Sequence, residues 1–242
     1  MRKPPTVTEI HNENVGYTPG VPPPFAKTFR ADYPDAEKIA RVISFGNTLI
    51  TIKSEKGIKK FQEETGIACV ETEFFEILDF PLIQGNIKTA LTAPNTAIVT
   101  QKIAKKYFGN ADAIGKTFLV NNETTFKITG ILKDLPENTD RRQEIYVSNL
   151  NLKDLSSWMT KDKWGGIDSE LHCFVLLKPG IKAASVESFF VPWLEKYNPA
   201  GKNKKNVLQF KLLPLSDVHF NPNYDGIIEK KYLWALAFIG IF

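Results

Sequence analysis

Short runs in which apolar and polar residues alternate recur along the chain and predict β-strands. Residues 39–45 and 48–53 form two such runs, and the Gly46-Asn47 pair between them is typical of a tight turn, so a hairpin is predicted here. A second hairpin is predicted from residues 117–120 and 125–132, turning at Asn121-Asn122. Further strands are predicted at residues 67–70, 95–100, 145–148, 171–177 and 206–213.

Helical periodicity appears in only a few segments. Residues 101–108 place Ile103 and Tyr107 on one face and lysines on the other, which predicts an amphipathic helix. Short helices are also predicted at residues 25–30, after a proline run, and at 73–78, where Thr72 can cap the first turn. A longer helix is predicted over residues 186–197, with a kink or break at Pro192. Strands and helices that do not alternate regularly indicate an α+β fold.

The last residues of the sequence differ from the rest. Residues 232–242 read YLWALAFIGIF and directly follow the charged cluster at 229–231. This run is shorter than the roughly 20 residues that a membrane-spanning helix needs. It is apolar on every face, and it begins with Tyr232 and Trp234, residue types that favour the membrane interface. It is therefore predicted to be the start of a truncated transmembrane helix, with Tyr232 and Trp234 as interface anchors.

The composition is that of an ordinary globular protein. The 242 residues are 43% hydrophobic and 24% charged, with a net charge of +4. The densest basic cluster is Lys202, Lys204 and Lys205, and no aromatic residues are interleaved with it. Because a nucleic-acid surface combines basic and aromatic residues over a larger area, no nucleic-acid binding is expected.

One segment approaches a nucleotide-binding motif without satisfying it. Residues 109–117 read GNADAIGKT, whereas a Walker A loop requires G-x-x-x-x-G-K-[ST]. The first glycine is Gly109, one position too early, and Asn110 stands where that glycine is needed. The segment also follows a predicted helix and leads into a predicted strand, the reverse of a phosphate-binding loop. A glycine-punctuated turn is predicted, with no cofactor.

The remaining reactive side chains form no recognisable catalytic or metal site. His11, His172 and His219 are widely spaced, and the pair formed by Asp217 and His219 is interpreted as a surface hydrogen bond. His172 and Cys173 are adjacent on a predicted strand and should point to opposite faces. Acidic pairs such as Glu63-Glu64 and Glu73/Glu76 are interpreted as exposed charges. No catalytic, metal-binding or cofactor-binding residue is therefore assigned, and the substrate-binding residues are not identified.

The two cysteines, Cys69 and Cys173, both lie in apolar, strand-like runs. Their spacing fits no zinc or redox motif. Two interpretations stay open at this point: two buried thiols, or one structural disulfide in an oxidising compartment.

Three segments within residues 74–139 are considered together: FFEILDFPLIQGN, TALTAPNTAIVTQKIAKKYFGNADAIGKTFLV and FKITGILKDLPENT. Taken in this order, they resemble the extracytoplasmic core domain of MacB/FtsX-type ABC-transporter permeases. The upstream segment FAKTFRADYPDAEKIARV and the downstream segments FVLLKPG and LLPLSDVHF extend the resemblance over residues 23–242. The resemblance rests on the order and spacing of these segments, and not on any single motif.

The resemblance implies a non-catalytic domain of a homodimeric permease in the bacterial cytoplasmic membrane. It implies a cytoplasmic ATPase partner, a second permease copy, and a periplasmic or outer-membrane partner, with membrane helices flanking the domain. Two lobes are expected: a porter-like base from residues 23–68 and 168–220, and an inserted, hairpin-rich, sabre-like lobe from 70–150. Residues 1–22 are expected to be an extended N-terminal segment.

Two other functions compete with this one. A free-standing periplasmic or secreted binding protein without catalytic activity has no reason to end in an apolar segment like residues 232–242. A soluble enzyme would need a site that no motif in the sequence provides. The permease domain is the interpretation that also accounts for the apolar tail.

Overall fold

A computed structural model describes residues 5–11, 14–55, 57–136, 139, 141–199, 206–218 and 220–221. The strands are β1 Pro5–His11, β2 Asn14–Thr18, β3 Ala36–Phe45, β4 Thr48–Ser54, β5 Gly57–Glu63, β6 Ile67–Val70, β7 Leu82–Gln84, β8 Thr96–Thr100, β9 Thr117–Val120, β10 Thr124–Leu132, β11 Ile145–Ser148, β12 Leu171–Leu177 and β13 Asn206–Leu212. The helices are α1 Phe25–Asp32, α2 Glu73–Leu78, α3 Gln101–Phe108, α4 Leu152–Leu155, α5 Ala183–Tyr197 and α6 Leu215–Val218. The α+β class is confirmed.

The chain forms two compact units. Unit 1 combines residues 1–38 with 163–242, and unit 2 is the continuous segment 39–162. The division falls within β3 at one side and after the 3₁₀ turn Ser157–Thr160 at the other.

Unit 1 contains a small sheet and two helices that share an aromatic core. The sheet has the strand order β13-β1-β2, with β1 antiparallel to both neighbours. Phe25 of α1 lies at the centre of the core and is fully buried. Its ring centroid is 4.6 Å from that of Phe210 in β13 and 5.4 Å from that of Trp193 in α5. Because α1, α5 and β13 all contribute rings to one cluster, this core fixes both helices to the sheet.

The second sheet is mixed and has ten strands, in the order β12-β3-β6-β11-β8-β10-β9-β4-β5, with β7 paired to β10. Most of its strands lie in unit 2. The pairs β6–β11 and β8–β10 are parallel, and the pairs β3–β6 and β8–β11 are antiparallel. All four residues of β6 and of β11 are buried, which explains why these strands are apolar throughout instead of alternating.

Helix α3 agrees with its predicted bounds, and its ends show why. The Thr100 hydroxyl accepts a hydrogen bond from the Ile103 amide, which caps the first turn. Gly109 follows the last residue with a positive φ of 66°, a conformation that favours glycine. Ile103 and Tyr107 are buried, and Lys102 and Lys105 are exposed, as the amphipathic pattern predicts.

The second predicted hairpin is confirmed, because β9 and β10 pair antiparallel around Asn121 and Asn122. Both asparagines adopt positive φ, which this residue type tolerates better than most. The first predicted hairpin is wrong. β3 pairs with β6, and β4 pairs with β5 and β9. Of the Gly46-Asn47 pair only Asn47 has positive φ, whereas a two-residue type I′ turn requires it at both positions.

Helix α5 runs from Ala183 to Tyr197 as one helix that includes Pro192, so the predicted break is wrong, whereas the alternative of a kink at Pro192 stays a prediction. The division places residues 39–68 in unit 2 with 70–150, and residues 1–22 in unit 1. In the sheets β3 pairs with both β12 and β6, and β1 pairs with β13 and β2. The lobe boundaries given in the sequence analysis stay predictions. The identification of the units with porter-like and sabre-like lobes stays a prediction.

Candidate functional site

The segment Gly109–Thr117 forms a tight turn between α3 and β9. The Gly115 amide donates to the Ile128 carbonyl at 2.8 Å, and the Lys116 amide donates to the Ala113 carbonyl at 3.1 Å. The Lys116 ammonium lies 4.9 Å from the centroid of the Phe108 ring. A phosphate-binding loop needs free amides and a lysine that points at the ligand. Here both amides are used within the fold, which favours the turn interpretation.

The three histidines do not come together in the described part of the chain. His172 lies on β12, half-buried, with its Nε2 atom 2.6 Å from the Ser169 carbonyl oxygen. For His11 only the backbone is described, and His219, with its predicted contact to Asp217, lies outside the described residues. Among the residues that the structure describes, no three His, Cys, Asp or Glu side chains group as metal ligands do.

Cys69 and Cys173 are both buried, and they are thiols rather than the two halves of a disulfide. The Cys69 thiol donates to the Ser148 carbonyl at 3.5 Å, and burial raises its pKa to about 12. At neutral pH it is therefore protonated and unreactive. The sequence leaves open two buried thiols or one structural disulfide, and the structure contains the two buried thiols.

Glu63 corrects the interpretation of the Glu63-Glu64 pair as exposed charges. Its side chain is 10% exposed and accepts hydrogen bonds from the Tyr107 hydroxyl at 2.7 Å and from the Lys106 ammonium at 2.8 Å. Burial and the hydrogen bond to Glu63 both raise the pKa of Tyr107. Alternation along β5 places Glu63 on the same face as Phe61, whose ring is 4.7 Å from that of Tyr107, and α3 covers that face. This ionic cluster therefore joins α3 to the strand β5.

Unit 1 has its own ionic cluster, which the sequence analysis did not identify. The Asp32 carboxylate at the end of α1 accepts three hydrogen bonds from α5: from the Tyr197 hydroxyl at 2.6 Å, the Trp193 indole at 2.9 Å and the Lys196 ammonium at 2.9 Å. The donors recur at helical spacing on α5, but their common acceptor lies more than 150 residues earlier, so only the fold brings them together. The cluster connects the two helices of the aromatic core.

These hydrogen bonds make the stability of unit 1 depend on pH. The Tyr197 hydroxyl, followed by Lys196 and Trp193, lowers the pKa of Asp32 below its ordinary value of 3.8. Stability from this group is thus complete above that value and is lost as the pH falls through the lowered pKa. We expect Asp32→Asn to melt at a lower temperature at neutral pH and to lose less on acidification than the natural protein, as measured by circular dichroism.

Asp35→Asn is the matched control for this measurement. Its side chain is 49% exposed, and its carboxylate lies 4.0 Å from the Lys178 ammonium. An exposed pair of this kind contributes little to stability, so this variant should follow the pH profile of the natural protein. Identical profiles for all three proteins would contradict the role given to Asp32.

The predicted membrane segment 232–242, with Tyr232 and Trp234, lies outside the described residues. Within the described ranges, no helix has the length and hydropathy that crossing a membrane requires.

Comparison with known proteins gives a family match and a shared fold. A family model described as the MacB-like periplasmic core domain matches residues 3–188. No curated protein matches the sequence. A domain described as part of a permease protein from Porphyromonas gingivalis superposes with a TM-score of 0.73 at 18% identity, covering 88% of this chain and 89% of that one.

Two other solved structures share the fold. One is the periplasmic region of MacB from Actinobacillus actinomycetemcomitans, with a TM-score of 0.58, 14% identity, and coverage of 89% of this chain and 90% of that one. The other is the extracellular domain of the noncanonic ABC-type transporter YknZ from Gram-positive bacteria. It has a TM-score of 0.52 and 12% identity, and the match covers 86% of this chain and 100% of that one. At these identities the likeness is one of fold.

Proposed function

Because this chain belongs to the family of MacB-like periplasmic core domains, we propose that it is the extracytoplasmic part of an ABC-type permease that carries conformational change across the membrane. ATP hydrolysis is assigned to a cytoplasmic ATPase, and the permease acts as a homodimer in the bacterial cytoplasmic membrane. Domains of this family are not themselves catalytic. The output of the movement is substrate export or a conformational signal to a periplasmic or outer-membrane partner.

The observation that supports this most directly is the pairing of the first and last described strands. β1 and β13 are antiparallel neighbours, and Pro5 stands opposite Leu212. The first described residue of β1 and the last residue of β13 thus lie at the same end of one sheet. A domain inserted between two adjoining membrane helices requires this arrangement. Residues 232–242 are proposed to begin the second of those helices.

The division into two units supports a role in transmission. Unit 1 contains both strands that lead to the flanking segments, and unit 2 is inserted between them. Each unit has its own buried core and its own ionic cluster.

The test is a distance measurement in the full-length permease, reconstituted with its ATPase in lipid nanodiscs. Spin labels are attached to cysteines placed at Lys27 in unit 1 and Lys60 in unit 2, both exposed. The natural cysteines are buried and should react poorly. We expect the distribution of label distances to change between nucleotide-free and ATP-bound states, as measured by pulsed electron paramagnetic resonance.

A label pair within unit 2, at Lys60 and Lys153, is the control and should not change. The change in the first pair should also disappear when the ATPase cannot bind nucleotide. A distribution for Lys27 and Lys60 that is the same in every nucleotide state would refute the coupling, although it would leave the family membership intact.

A further inference from the structure

A groove of about 490 Å³ lies between α5 and β13 in unit 1. Its apolar lining comes from Phe190, Val191 and Leu194 of the helix and from Leu208 and Phe210 of the strand. Val191 is 67% exposed, the highest value among the large apolar residues that the structure describes as exposed. An apolar side chain left open to solvent inside a concave surface is characteristic of a binding site.

The strand that forms one wall of this groove is at the edge of its sheet. In the described sheet β13 pairs with β1 on one side only. The backbone amide of Leu212 donates at 2.9 Å to a carboxylate oxygen of Glu187 in α5. The Leu212 N–H group therefore points away from β1 and toward α5. The Glu187 carboxylate accepts the hydrogen bond that the carbonyl of a neighbouring strand would accept in a larger sheet.

The remaining backbone groups of this edge follow from strand geometry. Successive residues of a strand direct their amide and carbonyl groups to opposite edges. Leu208 and Phe210 are two and four residues before Leu212, so their backbone groups face the groove as well. The groove thus offers hydrogen-bonding groups along one wall and an apolar surface along the other.

We propose that this groove binds an extended peptide segment of a partner protein, which adds to β13 as a further strand. The peptide's backbone would pair with Leu208 and Phe210, and its alternate side chains would enter the apolar space beside Val191. This mode of recognition combines main-chain hydrogen bonds for affinity with side-chain pockets for specificity. The inference rests on the groove and does not depend on coupling to an ATPase.

The charges of the groove favour a basic partner. Glu187 and Glu195 lie along the helix wall and Lys211 along the strand wall, so carboxylates outnumber ammonium groups among the lining residues that the structure describes. The partner strand is therefore expected to alternate apolar residues with lysine or arginine. A lipid acyl chain fits the chemistry less well, because it would cover the edge groups of β13 without giving them hydrogen-bonding partners.

The experiment uses the 242-residue chain and a labelled probe peptide, acetyl-Lys-Val-Lys-Val-Lys-Val-Lys-amide. Fluorescence anisotropy should show saturable binding. Val191→Arg should weaken it by about tenfold or more, because the new side chain fills the groove and repels a basic peptide. Ile58→Arg is the matched control, since Ile58 is equally apolar, is 64% exposed and lies in unit 2. It should leave binding unchanged.

Hydrogen exchange separates strand addition from other kinds of binding. The amides of Leu208 and Phe210 should exchange more slowly in the presence of the probe, and a peptide with proline as its central residue should not bind, because proline cannot continue a strand ladder. Three results would overturn the proposal: no binding of the probe, equal binding by the Val191→Arg variant, or binding without protection of those amides. Binding of a fluorescent fatty acid in place of the peptide would assign the groove to an acyl ligand.

Discussion

Replacing Gly66 with alanine should destabilise unit 2 more than any other single glycine-to-alanine change in that unit for which the neighbours are described. Gly66 precedes β6, is buried, and has a φ of 65°. A Cβ atom built on it would overlap the carbonyl oxygen of Phe45, which is backbone and cannot turn aside. Strain at a positive φ costs about 1–2 kcal/mol, and the displacement of the β3 end adds to it.

The variant Gly109→Ala separates the cost of the positive φ from the cost of the overlap with the Phe45 carbonyl. Gly109 has nearly the same φ, 66°, but a Cβ atom there would meet nothing within 4 Å. We expect this variant to lose only the conformational cost, about 1–2 kcal/mol, and Gly66→Ala to lose more than about 4 kcal/mol. At about 2–4 °C per kcal/mol the melting temperatures should differ by several degrees. Equal losses would show that the overlap with Phe45 is relieved without cost.

Phe25→Ala should have the second largest effect, in unit 1. The ring is fully buried and lies within 6 Å of the rings of Phe29, Phe190, Trp193 and Phe210, measured between centroids. Its removal leaves a cavity among large side chains that cannot collapse readily. Substitutions of this kind destabilise proteins by about 3–5 kcal/mol, which is about 6–20 °C in melting temperature for a chain of this size.

Lys27→Ala on the same helix is the control for this variant. Lys27 is exposed, and alanine favours helix, so the melting temperature should stay within about 2 °C of that of the natural protein. If Phe25→Ala were no more destabilising than Lys27→Ala, the aromatic cluster would not be the main source of stability in unit 1.

The two ionic clusters bear on how this extracytoplasmic domain works. The Asp32 and Glu63 clusters hold helices to neighbouring elements within a unit. They therefore rigidify the bodies that the proposed function requires to move.

Local sequence patterns determined most of the secondary structure. The amphipathic period of residues 101–108, the cap at Thr100 and the glycine at 109 are all contained in one short segment, and they define α3 without reference to the rest of the chain. The hairpin at Asn121-Asn122 is equally local, because its two strands are adjacent in sequence. The family resemblance was also carried by the sequence, and the family match over residues 3–188 confirms it.

Only the tertiary structure decided which strands are neighbours and which charges are buried. Ile39–Phe45 could not be assigned to β6 rather than β4 from sequence, because both partners offer apolar, β-forming residues and the choice depends on the whole sheet. Sequence alone predicts that Glu63 is exposed, because a carboxylate is rarely buried without a partner, and its partners Tyr107 and Lys106 lie more than 40 residues further along the chain. The donors to Asp32 are more distant still. Interactions over such separations depend on the folded arrangement of several elements, which no local pattern specifies.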